Sequence, residues 1–231
     1  MSLVEATIIL SVLALLTAVL APSINDFAND AKRTKAAGDV QTIGSAIARM
    51  LKDTGETMVL VSGAVVGGAG PSHALANRIT MLVGDGLVPT VSGGAVGTST
   101  TNWNSLTTDV SPKIVETIAS VLIDNTPGYR AEATMTVATN FDPSTGQTYN
   151  SEFAWRGSYL SGPVGADPWG TRYAVNTEFL GFISGATQTQ IDKDVFVLCT
   201  GPNGIAQTSF AGDTTSPGGD DIIYVVSGAV Q

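Results

Sequence analysis

The sequence predicts an α+β protein: a long N-terminal α-helix, kinked or partly melted near Pro22, packed on a small antiparallel β-sheet head. Three observations carry that expectation. The opening segment, MSLVEATIILSVLALLTAVLAPSI, is apolar apart from one charge, Glu5. An apolar stripe at helical spacing then continues as far as Leu51. Segments rich in β-branched and aromatic residues dominate the second half, bounded by Gly, Pro or Asp. Helical patterns first and strand patterns later argue for an α+β arrangement.

The first element is residues 1–24. At 1.5 Å per residue a helix of this length spans about 36 Å, enough for a hydrocarbon core of roughly 30 Å. A secretory signal peptide needs a basic start, and here the only charge is acidic. The segment therefore reads as a transmembrane helix. Glu5 is the anomaly, because an ionised carboxylate at the middle of a bilayer costs about 2.5–3.5 kcal/mol on insertion scales and usually has a partner. One reading places Glu5 in the headgroup region, where a negative charge also suits the helix dipole. The other gives it a cation from a neighbouring copy of the chain, the nearest being the α-amino group of Met1 if Met1 is the true N-terminus.

The helix continues beyond the membrane segment. Val40, Ile43, Ile47, Met50 and Leu51 form one apolar stripe, with Asp39, Gln41, Ser45 and Arg49 facing elsewhere. A helix from Ser2 to Lys52 would be roughly 77 Å long. Pro22 cannot give an N–H to the carbonyl of Ala18, and its ring crowds that carbonyl, so a kink or local melting over Ala14–Pro22 is expected. Asp53, Thr54 and Gly55 form a helix stop. Residues 1–53 are thus the helix and residues 54–231 the head.

In the head, SGAVVGGAGPS reads as a glycine-rich loop, and HALANRITMLVGDG as a short helix stopped by Gly84 or Gly86. Thr90–Thr108 reads as an exposed connection rich in Ser, Thr and Gly. SPKIVETIASVLIDN reads as a second short helix with Pro112 at its start. Strands are expected at Ala131–Ala138, Thr171–Asn176, Asp194–Cys199 and Ile222–Ser227.

Charge divides the same way. Residues 1–53 hold five acidic and five basic side chains. The rest of the chain therefore holds 15 acidic against 6 basic, which is the whole net charge of −9. Such an acidic body repels phosphate backbones, so nucleic acid is not an expected partner. One cysteine, Cys199, excludes an intrachain disulfide, and one histidine, His73, excludes a His-rich metal site. There is no P-loop, no Gly-x-Ser-x-Gly elbow and no His–Glu metalloprotease helix, so an enzyme is not expected.

SLVEATIIL, with Glu5 and an unbroken apolar run to Pro22, resembles the mature N-terminus of type IV pilins and type II secretion pseudopilins. The register fits if a basic leader has been removed ahead of Met1; phenylalanine is the usual first residue, so Met1 is a departure. A second stretch, WRGSYLSGPVGADPWGTRYAV (Trp155–Val175), is similar to the Gly-Tyr-Leu … Asp-Pro-Trp-Gly-x-x-Tyr signature of major pseudopilins. Read from its residues alone, it is a turn: Asp167-Pro168 initiates it, Gly170 takes the unusual backbone angles, Trp169 anchors it and Tyr173 starts a strand.

The resemblance implies a homopolymeric filament, with stems 1–24 in its core and acidic heads outside. It implies an N-methylated Met1 that pairs with Glu5 of an adjacent subunit. Its partners would be a prepilin peptidase and an assembly machinery. Its location would be the inner membrane, then an extracellular filament or a periplasmic pseudopilus. DPWGTRY favours the secretion branch; the length of the head fits a surface pilus at least as well. Phe27 is the only aromatic residue among the first 50, which disfavours electron conduction through stacked rings. The resemblance also implies calcium in the loops VFVLCTGPNG and GDDIIYVV, with Thr200 offering its carbonyl, Asn203 its side chain, and Asp220 or Asp221 a carboxylate. Here Asn203 stands where aspartate is usual and Ile205–Gly218 is an insertion; the alternative is a solvated Gly/Asp loop without metal. A different class of function, a membrane-anchored adhesin or ligand-binding module, would use Thr90–Thr108 as its contact surface.

Overall fold

The structure is a computed structural model that describes residues 2–55, 59, 78–93, 103, 115–129, 141–142, 147–148, 154–180, 193–211 and 216–226. Helix α1 (Leu3–Thr54) opens with a reciprocal cap: the Ser2 hydroxyl accepts from the Glu5 amide, and the Glu5 carboxylate accepts from the Ser2 amide. It closes at Gly55, whose φ of 68° is the left-handed conformation glycine adopts without penalty. The helix is continuous across Pro22 in the single chain, with no melted segment.

Two halves of α1 have different surroundings. From Leu3 to Phe27 its large apolar side chains are exposed. From Ala36 to Leu51 one face is buried, through Ala36, Val40, Ile43, Ala46, Ile47, Met50 and Leu51. That is the stripe the spacing predicts, and it seats on strands β7 (Phe196–Cys199) and β9 (Ile222–Val225).

The head is built on a five-stranded sheet in the order β3-β1-β6-β7-β9, with β1 at Met81–Val83, β3 at Val115–Thr117 and β6 at Ala174–Val175. The sheet is mixed rather than antiparallel, because β3 lies parallel to β1 while the other pairs are antiparallel. The long connection from Val83 to Val115 permits this, since parallel neighbours need a crossover of a dozen or more residues. Two small pairs are separate from this sheet: β2 (Thr90–Val91) runs parallel to β8 (Ile205–Ala206), and β4 (Phe141–Asp142) runs antiparallel to β5 (Gln147–Thr148).

Three expectations for the head are corrected. Met81–Val83 is a strand, not the end of a helix: all three residues are buried, and a short continuously apolar run has no period to separate the two states. The second helix does not reach back to Val115. It is α2 (Ile118–Leu122), capped by Thr117, whose hydroxyl accepts from the Ser120 amide at 3.1 Å. Val115 and Thr117 ahead of it are β-branched and pair with β1 instead. The Thr90–Thr108 segment is not simply exposed, because Trp103 is fully buried against Phe196 and Phe210 and donates its indole N–H to the Thr208 carbonyl at 2.7 Å. The strands expected at residues 171–176, 194–199 and 222–227 are present in shorter form. The expectations for Ala131–Ala138, the glycine-rich loop, His73 and Pro112 lie outside the described residues.

Gly44 shows how tightly helix and sheet meet. A Cβ there would overlap the Tyr224 ring, at 2.7 Å from Cε1, and would lie 3.5 Å from Val197. We expect Gly44→Leu to destabilise the fold by about 1–3 kcal/mol, the usual cost of overpacking, although leucine is the better helix former. Thermal melting checks this; an unchanged midpoint would show that the helix can lift off β9 at no cost.

Candidate functional site

Two regions hold the residues the sequence singles out. The first is the start of α1. Glu5 is exposed at the third helical position, and its Oε2 accepts from the Ser2 amide at 2.8 Å. The Ser2 hydroxyl accepts from the Glu5 amide at 3.3 Å. Within a single chain the carboxylate is therefore a capping group, and it lies on the same exposed apolar cylinder as Leu3, Val4, Ile8 and Ile9. Pro22 sits inside α1 and Met1 lies outside the described residues. By length and composition this helix could cross a membrane, and none of its apolar window is buried in the protein.

The second region joins the β7–β8 and β8–β9 connections. Gly201 and Gly204, with φ of 66° and 64°, turn the chain after β7. This brings Asn203 onto Asp220. The Asn203 amide nitrogen donates to Asp220 Oδ1 and, at 2.8 Å, to Gln207 Oε1. The Asn203 backbone N–H donates to Asp220 Oδ2 at 3.2 Å, and Asn203 Oδ1 accepts from the Ile205 amide at 2.7 Å.

Asp221 faces the other way. It is 5% exposed, and its Oδ2 accepts from the Gln207 amide at 2.8 Å, the Thr208 amide at 2.6 Å and the Thr208 hydroxyl at 2.7 Å. Its Oδ1 is buried with no protein partner. Burial pushes the Asp221 carboxyl above the usual carboxylate range; the three donors pull it back and neighbouring Asp220 adds to the rise. Thr200 turns its hydroxyl to Thr171, at 2.9 Å.

The structure thus brings Asn203 and Asp220 together and points Asp221 elsewhere. Calcium takes six to eight oxygen ligands. Asp220 accepts from two N–H groups of Asn203, and the Asn203 oxygen is held by Ile205. Among the described residues no group of three or more His, Cys, Asp or Glu side chains is placed to hold a metal. The buried Asp221 Oδ1 is a single oxygen, so among the described residues the side chains of Asn203, Asp220 and Asp221, as arranged, do not fit calcium.

A neighbouring network was not foreseen. Asp167, 4% exposed, accepts at Oδ1 from the amides of Trp169 and Thr171, both at 2.9 Å. Its Oδ2 accepts from the Thr171 hydroxyl at 2.5 Å and the Cys199 thiol at 3.2 Å. Burial pushes the Cys199 thiol well up, so it stays protonated and serves as a donor. Gly170, with φ of 95°, returns its amide to the Asp167 carbonyl at 2.9 Å. Tyr173 then donates to Asp39 of α1 at 2.8 Å, so the Asp-Pro-Trp-Gly turn ties the sheet to the helix. The turn residues announced themselves in sequence. The contacts of Cys199 with Asp167 and of Thr200 with Thr171 did not, because these partners are distant along the chain. Compared with protein-family models, with curated proteins and with solved structures, the chain finds no match.

Proposed function

We propose that the chain is a structural subunit that polymerises into a helical, type IV pilus-like extracellular filament, with stems in the core and acidic heads outside. One observation carries this reading: thirteen large apolar side chains between Leu3 and Phe27 are exposed along one helix, with Glu5 the only charge as far as Ile24. Each gains about 1.5–3 kcal/mol on full burial. A surface of that size needs a bilayer or copies of itself. Membrane first and neighbouring stems afterwards would satisfy it in both places. Identical subunits joined by contacts that do not close into a ring build an open helix. The acidic heads would then face solvent and limit lateral aggregation.

In this reading the subunit waits in the inner membrane, and a prepilin peptidase and an assembly machinery act on it. No catalytic role is proposed. The similarity of DPWGTRY to the major pseudopilin signature favours a second reading, a short periplasmic pseudopilus of a secretion system. An adhesin using Thr90–Thr108 draws less support, since Trp103 is spent on the core.

Negative-stain microscopy of sheared cell-surface material, with mass spectrometry of its major band, tests the proposal. Filaments made of this chain are the expected result. Filaments seen only when the chain is overproduced would select the pseudopilus. A chain recovered solely as membrane-bound monomer would overturn both.

A further inference from the structure

We propose that the side-chain amide of Asn203 closes the loop between β7 and β9 in the place a cation would take, so that the head reaches full stability without calcium. The argument begins with valence. An asparagine amide has two N–H donors and one carbonyl acceptor. Here both donors are used, on Asp220 and Gln207, and the carbonyl is used on Ile205. The amide nitrogen therefore sits between an anionic and a neutral oxygen from two separate segments, which is how a bound cation would sit. Its own backbone N–H adds a second donor to the same carboxylate.

The surrounding backbone is shaped for this contact. Gly201 packs so closely on Asp220 that a Cβ there would overlap the Asp220 carbonyl. Gly219, with φ of 54°, leaves the space that the Gln207 amide fills, and a Cβ there would overlap it. To become a calcium ligand, Asn203 would have to turn its oxygen toward Asp220. That turn would strand the Ile205 amide and set acceptor against acceptor. An aspartate at 203 behaves differently: two carboxylates would face each other at hydrogen-bonding distance, a repulsion that a divalent cation relieves.

The test uses the full-length chain in detergent micelles, with melting followed by circular dichroism in calcium, in magnesium and in a chelator. The wild-type midpoint should be the same in all three. Asn203→Asp should melt about 4–10 °C lower in chelator, the shift expected of a lost charged hydrogen bond in a protein of this size, and calcium should restore most of that loss. Asn203→Ala should fall by a similar amount and stay there in calcium. A wild-type midpoint that rises with calcium and returns on chelation overturns the proposal. So does an Asn203→Asp protein as stable as wild type in chelator, or one whose loss calcium fails to restore. The outcome is independent of filament assembly, because melting is read on the dispersed subunit.

Discussion

Cells whose only copy of the chain carries Glu5→Ala should insert it into the membrane and build no filament. Removing the carboxylate makes insertion easier, so the defect must arise at assembly. If Glu5 pairs with the Met1 amine of an adjacent subunit inside a dry core, deleting one partner leaves the other buried and unpaired. That costs about 3–5 kcal/mol at each contact, or roughly a hundred- to several-thousand-fold in affinity. The geometry adds a control. Glu5 also caps its own helix by accepting from the Ser2 amide, and loss of a cap alone is worth about 1 kcal/mol. Glu5→Gln keeps an acceptor for that cap, since glutamine serves in the same capping motif, yet removes the charge. The pairing model expects Glu5→Gln to fail as Glu5→Ala does. Normal amounts of filament from Glu5→Gln would reduce Glu5 to a capping residue.

The long helix and its seat were legible in the sequence because both are local. The stripe from Val40 to Leu51 repeats at helical spacing, and Gly55 sits where a helix must stop. The sheet was legible only as a set of strands. Nothing near Val115 says that it will pair parallel with Met81, because the pairing closes a long loop whose middle carries no marker. Trp103 was hidden by its neighbours: serine, threonine and glycine around it gave the segment the composition of an exposed connection, and one indole outweighed them. The same limit governs the loop at Asn203. The sequence supplied the residue types a calcium site needs. Which way an amide turns was decided by Gln207 and Ile205, which no spacing rule would have selected.

The head should depend on Asp167 more than on any residue of the expected calcium loop. Four donors converge on its carboxylate, and it is buried. Asp167→Ala would leave the Trp169 and Thr171 amides and the Cys199 thiol without this acceptor at a buried position, while the Thr171 hydroxyl could turn to Thr200. Hydrogen bonds to a charged group are worth about 1.5–3 kcal/mol each and are not additive, so a loss of roughly 3–5 kcal/mol is expected, or about 6–20 °C in the midpoint. Asp167→Asn should lose less. Its oxygen can still accept from the Trp169 and Thr171 amides, while its NH2 can donate to the Thr171 hydroxyl, which turns to donate to Thr200. The damage from Asp167→Ala should also reach the helix. Tyr173 follows the turn directly and holds Asp39 of α1, so a loosened turn releases one tie between sheet and stem. The state of Cys199 gives a second readout. In the wild type its thiol is buried and protonated, and it should resist alkylation under native conditions; in Asp167→Ala it should react well below the melting temperature. An Asp167→Ala protein that melts with the wild type and keeps Cys199 protected would mean the turn is held by Trp169 and the glycine geometry alone.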